Sequence, residues 1–256
     1  MKNKYLIAAS LLVLLVAQPF NVVSAQETKK SRFMIELELG SVWQSRNNVQ
    51  IPNNQNGTRF SLVELVGNGP YPAARVYFSW NISERHGLRF LLAPLSFNEK
   101  GRFTQPVAFS GGSFDPDVQT NATYKFNSWR LTYRYLLFDR HRWYGWIGFT
   151  AKIRDAKIQL EQQSVSAKEE DLGFVPLLHL SFVYQLKQRL QLLFDLDALA
   201  GGPGRAEDLA LKLGYKLNKR LNISVGYRTL EGGADVDRVY NFAWLHFATV
   251  SVSYEF

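Results

Sequence analysis

From residue 31 onward, apolar side chains recur at every second position, the period of a strand whose two faces meet different surroundings, and a helical period is nowhere sustained. Phe33, Ile35, Leu37 and Leu39 share one face, while Glu36, Glu38 and Gly40 share the other. The alternation returns with Ala74, Val76, Phe78 and Trp80 against Arg75, Tyr77, Ser79 and Asn81, and with Trp129, Leu131, Tyr133 and Tyr135 against Arg130, Thr132 and Arg134. Further strands are predicted over 143–153, 174–184, 190–198, 209–217, 221–229 and 242–256, with a less regular one over 88–97. That makes about ten, most of them close to the ~9–11 residues that a tilted membrane-spanning strand requires.

The connections alternate in length. Short ones fall at 83–86, 139–142, 185–188 and 218–220, and long polar ones, rich in Gly, Pro, Asn and Asp, at 44–70, 98–122, 159–172, 200–208 and 231–241. An even number of strands joined by short periplasmic turns and long extracellular loops is the plan of a closed antiparallel transmembrane β-barrel. Period two does not by itself say which face points inward, so a soluble periplasmic β-sandwich or barrel binding protein is the competing architecture. Volume favours the membrane, because large apolar side chains from ten strands would overfill a closed lumen, whereas lipid accepts them all outside.

On the expected outer face an aromatic stands beside nearly every short turn: Trp80, Tyr135, Trp143, Tyr184, Tyr215 and Tyr254. Such a row suits the headgroup level at the periplasmic rim. The chain ends Val250-Ser251-Val252-Ser253-Tyr254-Glu255-Phe256, an alternating strand closed by Phe, which resembles the assembly signal of bacterial outer-membrane barrels. That resemblance implies the barrel-assembly machinery and outer-membrane lipids as partners. The stretches Tyr124–Trp129, Gly201–Asp208 and Gly226–Asp235 are similar to those of a bacterial outer-membrane barrel family without an assigned function, which supports the fold and transfers no activity.

The N-terminus changes the domain count. Lys2 and Lys4, an apolar run from Tyr5 to Ala17 and the small-residue pattern Val23-Ser24-Ala25 read as a cleaved secretory signal peptide over 1–25, leaving one barrel domain over 26–256. The run is shorter than the ~20 residues of a membrane-spanning helix. With no cysteine, disulfide scaffolds, thiolate metal sites, thiol nucleophiles and a lipidated Cys are excluded. Net charge is +8, or +6 without Lys2 and Lys4. Export sets nucleic acid aside as a partner and leaves anionic lipid, a small solute or an ion.

With the apolar face outside, the lumen collects Glu36, Glu38, Arg75, Arg89, Arg130, Arg134, Lys152, Arg154, Asp195, Asp197, Lys212 and Arg228. The expectation is a charge network filling the interior, in a non-enzymatic barrel with a small-channel, transport or structural role; an open, porin-like, anion-preferring passage is the functional variant. An alternative is a lipid-modifying hydrolase acting on lipid A or phospholipid. His179 and Ser181 share a strand face, and folding the next hairpin about Lys187 sets Asp195 opposite His179, giving base, hydroxyl and carboxylate. This is similar to the arrangement in outer-membrane lipid A deacylases, although Phe182 departs from the expected context. No cofactor and no metal centre are expected: His86 and His141 lie in turns and His246 faces outward, while Gly201-Gly202-Pro203-Gly204 lacks the Lys-Ser/Thr of a phosphate loop. The segment 58–72, apolar and then broken by Gly67, Gly69, Pro70 and Pro72, reads as a bulge, an inward-folded plug or a lateral seam.

Overall fold

The computed structural model describes residues 31–202 and 204–256. The signal peptide expected over 1–25 lies outside the described residues. The elements are β1 (Phe33–Gln50), β2 (Phe60–Ser61), α1 (Leu62–Val66), β3 (Tyr71–Asn81), β4 (His86–Ala93), β5 (Ser96–Arg102), β6 (Val107–Phe109), β7 (Gly112–Phe114), β8 (Gln119–Arg140), β9 (Trp143–Gln162), β10 (Val165–Gln185), β11 (Leu190–Gly201), β12 (Gly204–Lys216), β13 (Leu221–Val236) and β14 (Val239–Glu255).

Ten of these positions form a closed antiparallel wall: β1, β3, β4 with β5, and β8 to β14, each paired with its neighbour, and β14 paired back onto β1 from Met34↔Glu255 to Gln50↔Tyr240. β4 and β5 are one strand interrupted at Pro94, which has no N–H to donate. Both pair with β8 in the same register, Ala93↔Ser128 and Ser96↔Lys125. That break explains the less regular alternation over 88–97.

Apolar residues face out. Leu131, Ile147, Val250 and Phe149 are exposed, the last at 66%, while Arg130, Glu38 and Asp197 are buried and Arg228 is 2% exposed. This inversion removes the soluble sandwich or barrel, because such a surface is satisfied by hydrocarbon and not by water. At the short-turn end the aromatics gather as expected: Trp143 and Tyr184 lie 4.3 Å apart between ring centres, and Phe33 stacks on Trp80 and Phe256 where the first and last wall strands meet.

The predicted long loops 159–172, 200–208 and 231–241 are mostly ladder. β9 and β10 run on to Gln162 and Val165, β11 and β12 to Gly201 and Gly204, β13 and β14 to Val236 and Val239. Beyond the apolar belt both faces meet polar surroundings, so pairing continues with no alternation to mark it in the sequence. Three junctions are incomplete: β1 runs to Gln50 but pairs with β3 only as far as Val42↔Tyr71, β3 pairs with β4 only as far as Val76↔Leu92 and not with β5, and β10 reaches Val165 but pairs with β11 only from Leu178↔Ala198 downward.

Within the segment 58–72, residues 60–66 fold inward as a plug, while Tyr71 and Pro72 already pair with β1 in the wall. Ser61 Oγ accepts from the Glu64 N–H at 3.3 Å to start α1, and Gly67, at a φ of 84°, ends it. Leu62 and Leu65 of α1 join Phe60, Phe103, Phe109 and Phe114 in an apolar core with the inner-wall residues Val42, Tyr124, Leu160, Leu245 and Phe247. Gly101 is bare for this docking: a Cβ there would lie 1.6 Å from the Leu65 carbonyl oxygen.

Candidate functional site

Below the plug the lumen is ionic. Asp208 on β12 accepts from Arg228 of the adjacent strand at 2.5 Å, from Arg75 on β3 at 2.9 Å and from Arg130 on β8 at 2.6 Å. β3 and β8 each stand four strand positions from β12 around the wall, so this one carboxylate ties opposite sides of the barrel together. Glu38 receives Arg228 at 3.1 Å and also pairs with Lys212, which reaches Glu36 at 2.8 Å. The Tyr77 hydroxyl accepts from both Arg75 and Arg228. Gly226, across from Lys212, leaves the wall bare where a Cβ would come within 2.7 Å of the lysine stem. Asp208 and Glu38 are each shared by three cations, the condition for holding charges away from bulk water.

Of the expected lumen charges, Glu36, Glu38, Arg75, Arg130, Asp195, Asp197, Lys212 and Arg228 enter this network, as does Arg89, which grips Asp195 at 2.5 and 3.1 Å. Arg134 instead lies over the Trp146 ring at 4.8 Å, and Arg154 pairs with Asp171 higher up. The hub, Asp208, falls inside a stretch expected to be a loop; its signal is that it stands in phase with Ala210 and Lys212.

His179, Ser181 and an aspartate do meet, but the aspartate facing the histidine is Asp197. The hairpin pivots about Gln188 and not Lys187, so His179 pairs with Asp197 and Ser181 with Asp195. A shift of two residues keeps the same face inward. His179 Nδ1 is 2.8 Å from Asp197 and Nε2 is 3.1 Å from Ser181 Oγ. Asp197 also accepts from Arg130 at 2.7 Å and from Thr150 at 2.9 Å. Ligand atoms of His179, Asp195 and Asp197 lie within 4.8 Å of one another, yet guanidinium groups already balance both carboxylates. His246, facing outward, bonds Tyr227 at 2.5 Å and Ser45 at 2.8 Å, a polar cluster at the upper edge of the belt that its spacing in the chain did not suggest.

Along the inner wall formed by β8 to β14 lies a cavity of about 650 Å³, within the usual range for ligand pockets. Its floor is Arg130, Lys152, Asp197 and Asp208, its sides include Phe126, Ile158, Leu177 and Leu230, and it reaches the hairpin ends near Gly204 and Val239. His179 and Ser181 do not line it. Lys152, 3% exposed, makes no ion pair or hydrogen bond among the described residues; its ammonium lies 4.9 Å from the Phe126 ring centre.

No protein-family model matches the chain and no curated protein matches it. Among solved structures, the outer membrane protease OmpT from Escherichia coli is similar at 9% identity, covering 90% of this chain and 99% of OmpT with a TM-score of 0.55. The translocator domain of the autotransporter NalP from Neisseria meningitidis follows at 10% identity, 90% of each chain and a TM-score of 0.44. The fold is therefore that of the bacterial outer-membrane β-barrels, here a ten-stranded closed one.

Proposed function

We propose that this chain is a non-enzymatic outer-membrane β-barrel of the bacterial envelope, closed at rest, that takes part in transport by holding a solute in its upper cavity. In this reading a signal peptide exports it, the short turns and the strand termini face the periplasm, and the paired hairpins and plug face outward. Outer-membrane lipids solvate the apolar belt, and the barrel-assembly machinery engages the last strand, ending at Phe256.

The observation that carries this reading is the convergence of Arg75, Arg130 and Arg228 on Asp208 across the lumen. A standing pore needs a continuous aqueous path, and here ion pairs from opposite walls occupy it. Purified protein in planar bilayers should be silent at low voltage, with brief openings when Asp208 is replaced by Asn. A steady ohmic conductance from the wild type would overturn the closed reading in favour of a small channel.

The hydrogen-bond chain Asp197–His179–Ser181 supports a second reading, a lipid-modifying hydrolase with Asp197 in the place expected for Asp195. Base, hydroxyl and orienting carboxylate are within reach of one another, but the serine lies beneath the ionic floor. Mass spectrometry of lipid A and phospholipid from cells carrying wild type or Ser181→Ala separates the two. Equal profiles support the non-enzymatic reading, and a product lost with the serine supports the hydrolase.

A further inference from the structure

The upper cavity combines three features. Its walls are apolar at Phe126, Ile158, Leu177 and Leu230. Its floor holds one ammonium with no counter-ion, Lys152; of the other lining cations Arg130 is matched by Asp197 and Asp208, Arg154 by Asp171, Arg238 by Glu169, Arg205 by Glu231 and Lys125 by Asp155, while Lys157, nearer the hairpin ends, donates to the neutral Gln159 side chain. A buried amine without an anion either gives up its proton or takes its counter-charge from something bound beside it.

The third feature is the junction between β10 and β11, the incomplete one that borders the cavity. Their ladder stops at Leu178↔Ala198. Continued in the same register, it would set Ala200 against Pro176, which cannot donate a hydrogen bond, and β11 turns away at Gly201 while β10 climbs on to Val165. Leu178 stands six residues above the rim aromatic Tyr184. With a rise of ~3.3 Å per residue and a tilt of ~40°, that is about 15 Å up an apolar belt ~25 Å tall. The gap thus falls in the outer half of the membrane. Leu172 and Phe174, exposed at 76% and 64%, flank it outside, and Phe174, Leu177 and Leu199 continue it into the cavity.

We propose that the cavity binds a single-chain amphiphile with an acidic head, the head paired with Lys152 and the chain lying in the lateral gap between β10 and β11, so that the ligand is exchanged with the outer leaflet. This rests on the closed-barrel reading for its route, since an occluded floor leaves the side and the outer end as ways in. An apolar chain needs an apolar path, and the gap supplies one that the polar hairpin tips do not. Head recognition needs the unmatched charge, which only Lys152 offers at the floor.

The test uses the mature protein in phosphatidylcholine nanodiscs with myristate as the probe, and tetradecanol and acetate as controls lacking the charge and the chain. Myristate should bind saturably, with both controls at least tenfold weaker. Lys152→Met should weaken myristate about ten- to hundredfold, the loss of one charge-assisted bond, and Lys152→Arg should restore most of it. Gel mobility of unboiled samples confirms that each variant is folded. Myristate carrying a diazirine at its terminal carbon should label Phe174, Leu172 or Leu199. Equal binding by wild type and Lys152→Met overturns the head site, and labelling of Phe109 or Val239 instead overturns the lateral route. A barrel silent in bilayers that binds no myristate sinks this inference alone; steady conductance with Lys152-dependent binding sinks the closed-barrel reading alone.

Discussion

The lower and upper halves of this lumen are closed in opposite ways. Below, the wall strands' own side chains fill the space, most charges paired with partners on other strands, as where Asp208 binds three arginines. Above, the wall is lined with Val42, Tyr124, Leu245 and Phe247, and separate pieces of chain, α1 and the β6–β7 hairpin, fill it with leucine and phenylalanine. A shared ionic hub fails as a unit when one member is removed. An apolar plug made of loops can loosen while the wall stays whole.

The largest effect should come from Asp208→Ala. Three buried guanidinium groups lose a common partner, and the cost expected is about 4 kcal/mol of barrel stability. Urea unfolding in lipid vesicles, followed by the change in gel mobility of unboiled samples, measures it. Phe109→Ala, at a fully buried plug position, should cost about 3 kcal/mol. That loss should be local: limited proteolysis should cut within 103–118 sooner while the barrel's unfolding midpoint moves much less. If both substitutions lower the barrel midpoint equally, plug and wall are one cooperative unit and the contrast fails.

Ser181→Ala should cost about 1 kcal/mol, one neutral hydrogen bond in a site where His179 keeps Asp197. Smallest of all, Lys187→Ala in the exposed turn between β10 and β11 should change stability by no more than ~0.5 kcal/mol. Unfolding curves under the same conditions rank all four, and any inversion of that order identifies the half whose role has been misjudged.

Much of the wall was legible in the sequence because lipid imposes alternation on every strand that crosses it. Phe33 to Leu39, Trp129 to Tyr135 and Val250 to Tyr254 all keep it. Outside the belt that constraint lapses, which is why Lys168-Glu169-Glu170-Asp171 read as loop although each residue pairs with β9. The same lapse hid Asp208, next to a glycine-rich turn. The inward set of charges could be read from phase alone, but partners could not: one residue's difference in the hairpin pivot exchanged Asp195 for Asp197 opposite His179. Lys152 was visible as a lumen charge. That it lacked an anion was not, because pairing across a barrel joins strands far apart in the chain.

The central claim is that hydrocarbon surrounds the apolar face and ionic side chains occupy the enclosed centre. The absence of native cysteine allows it to be read directly, with a nitroxide attached in turn to cysteine at Thr249, Val250, Ser251 and Val252 in reconstituted vesicles. Collision with oxygen dissolved in lipid should be strong at 250 and 252 and weak at 249 and 251. The opposite phase, or no alternation, would contradict the account.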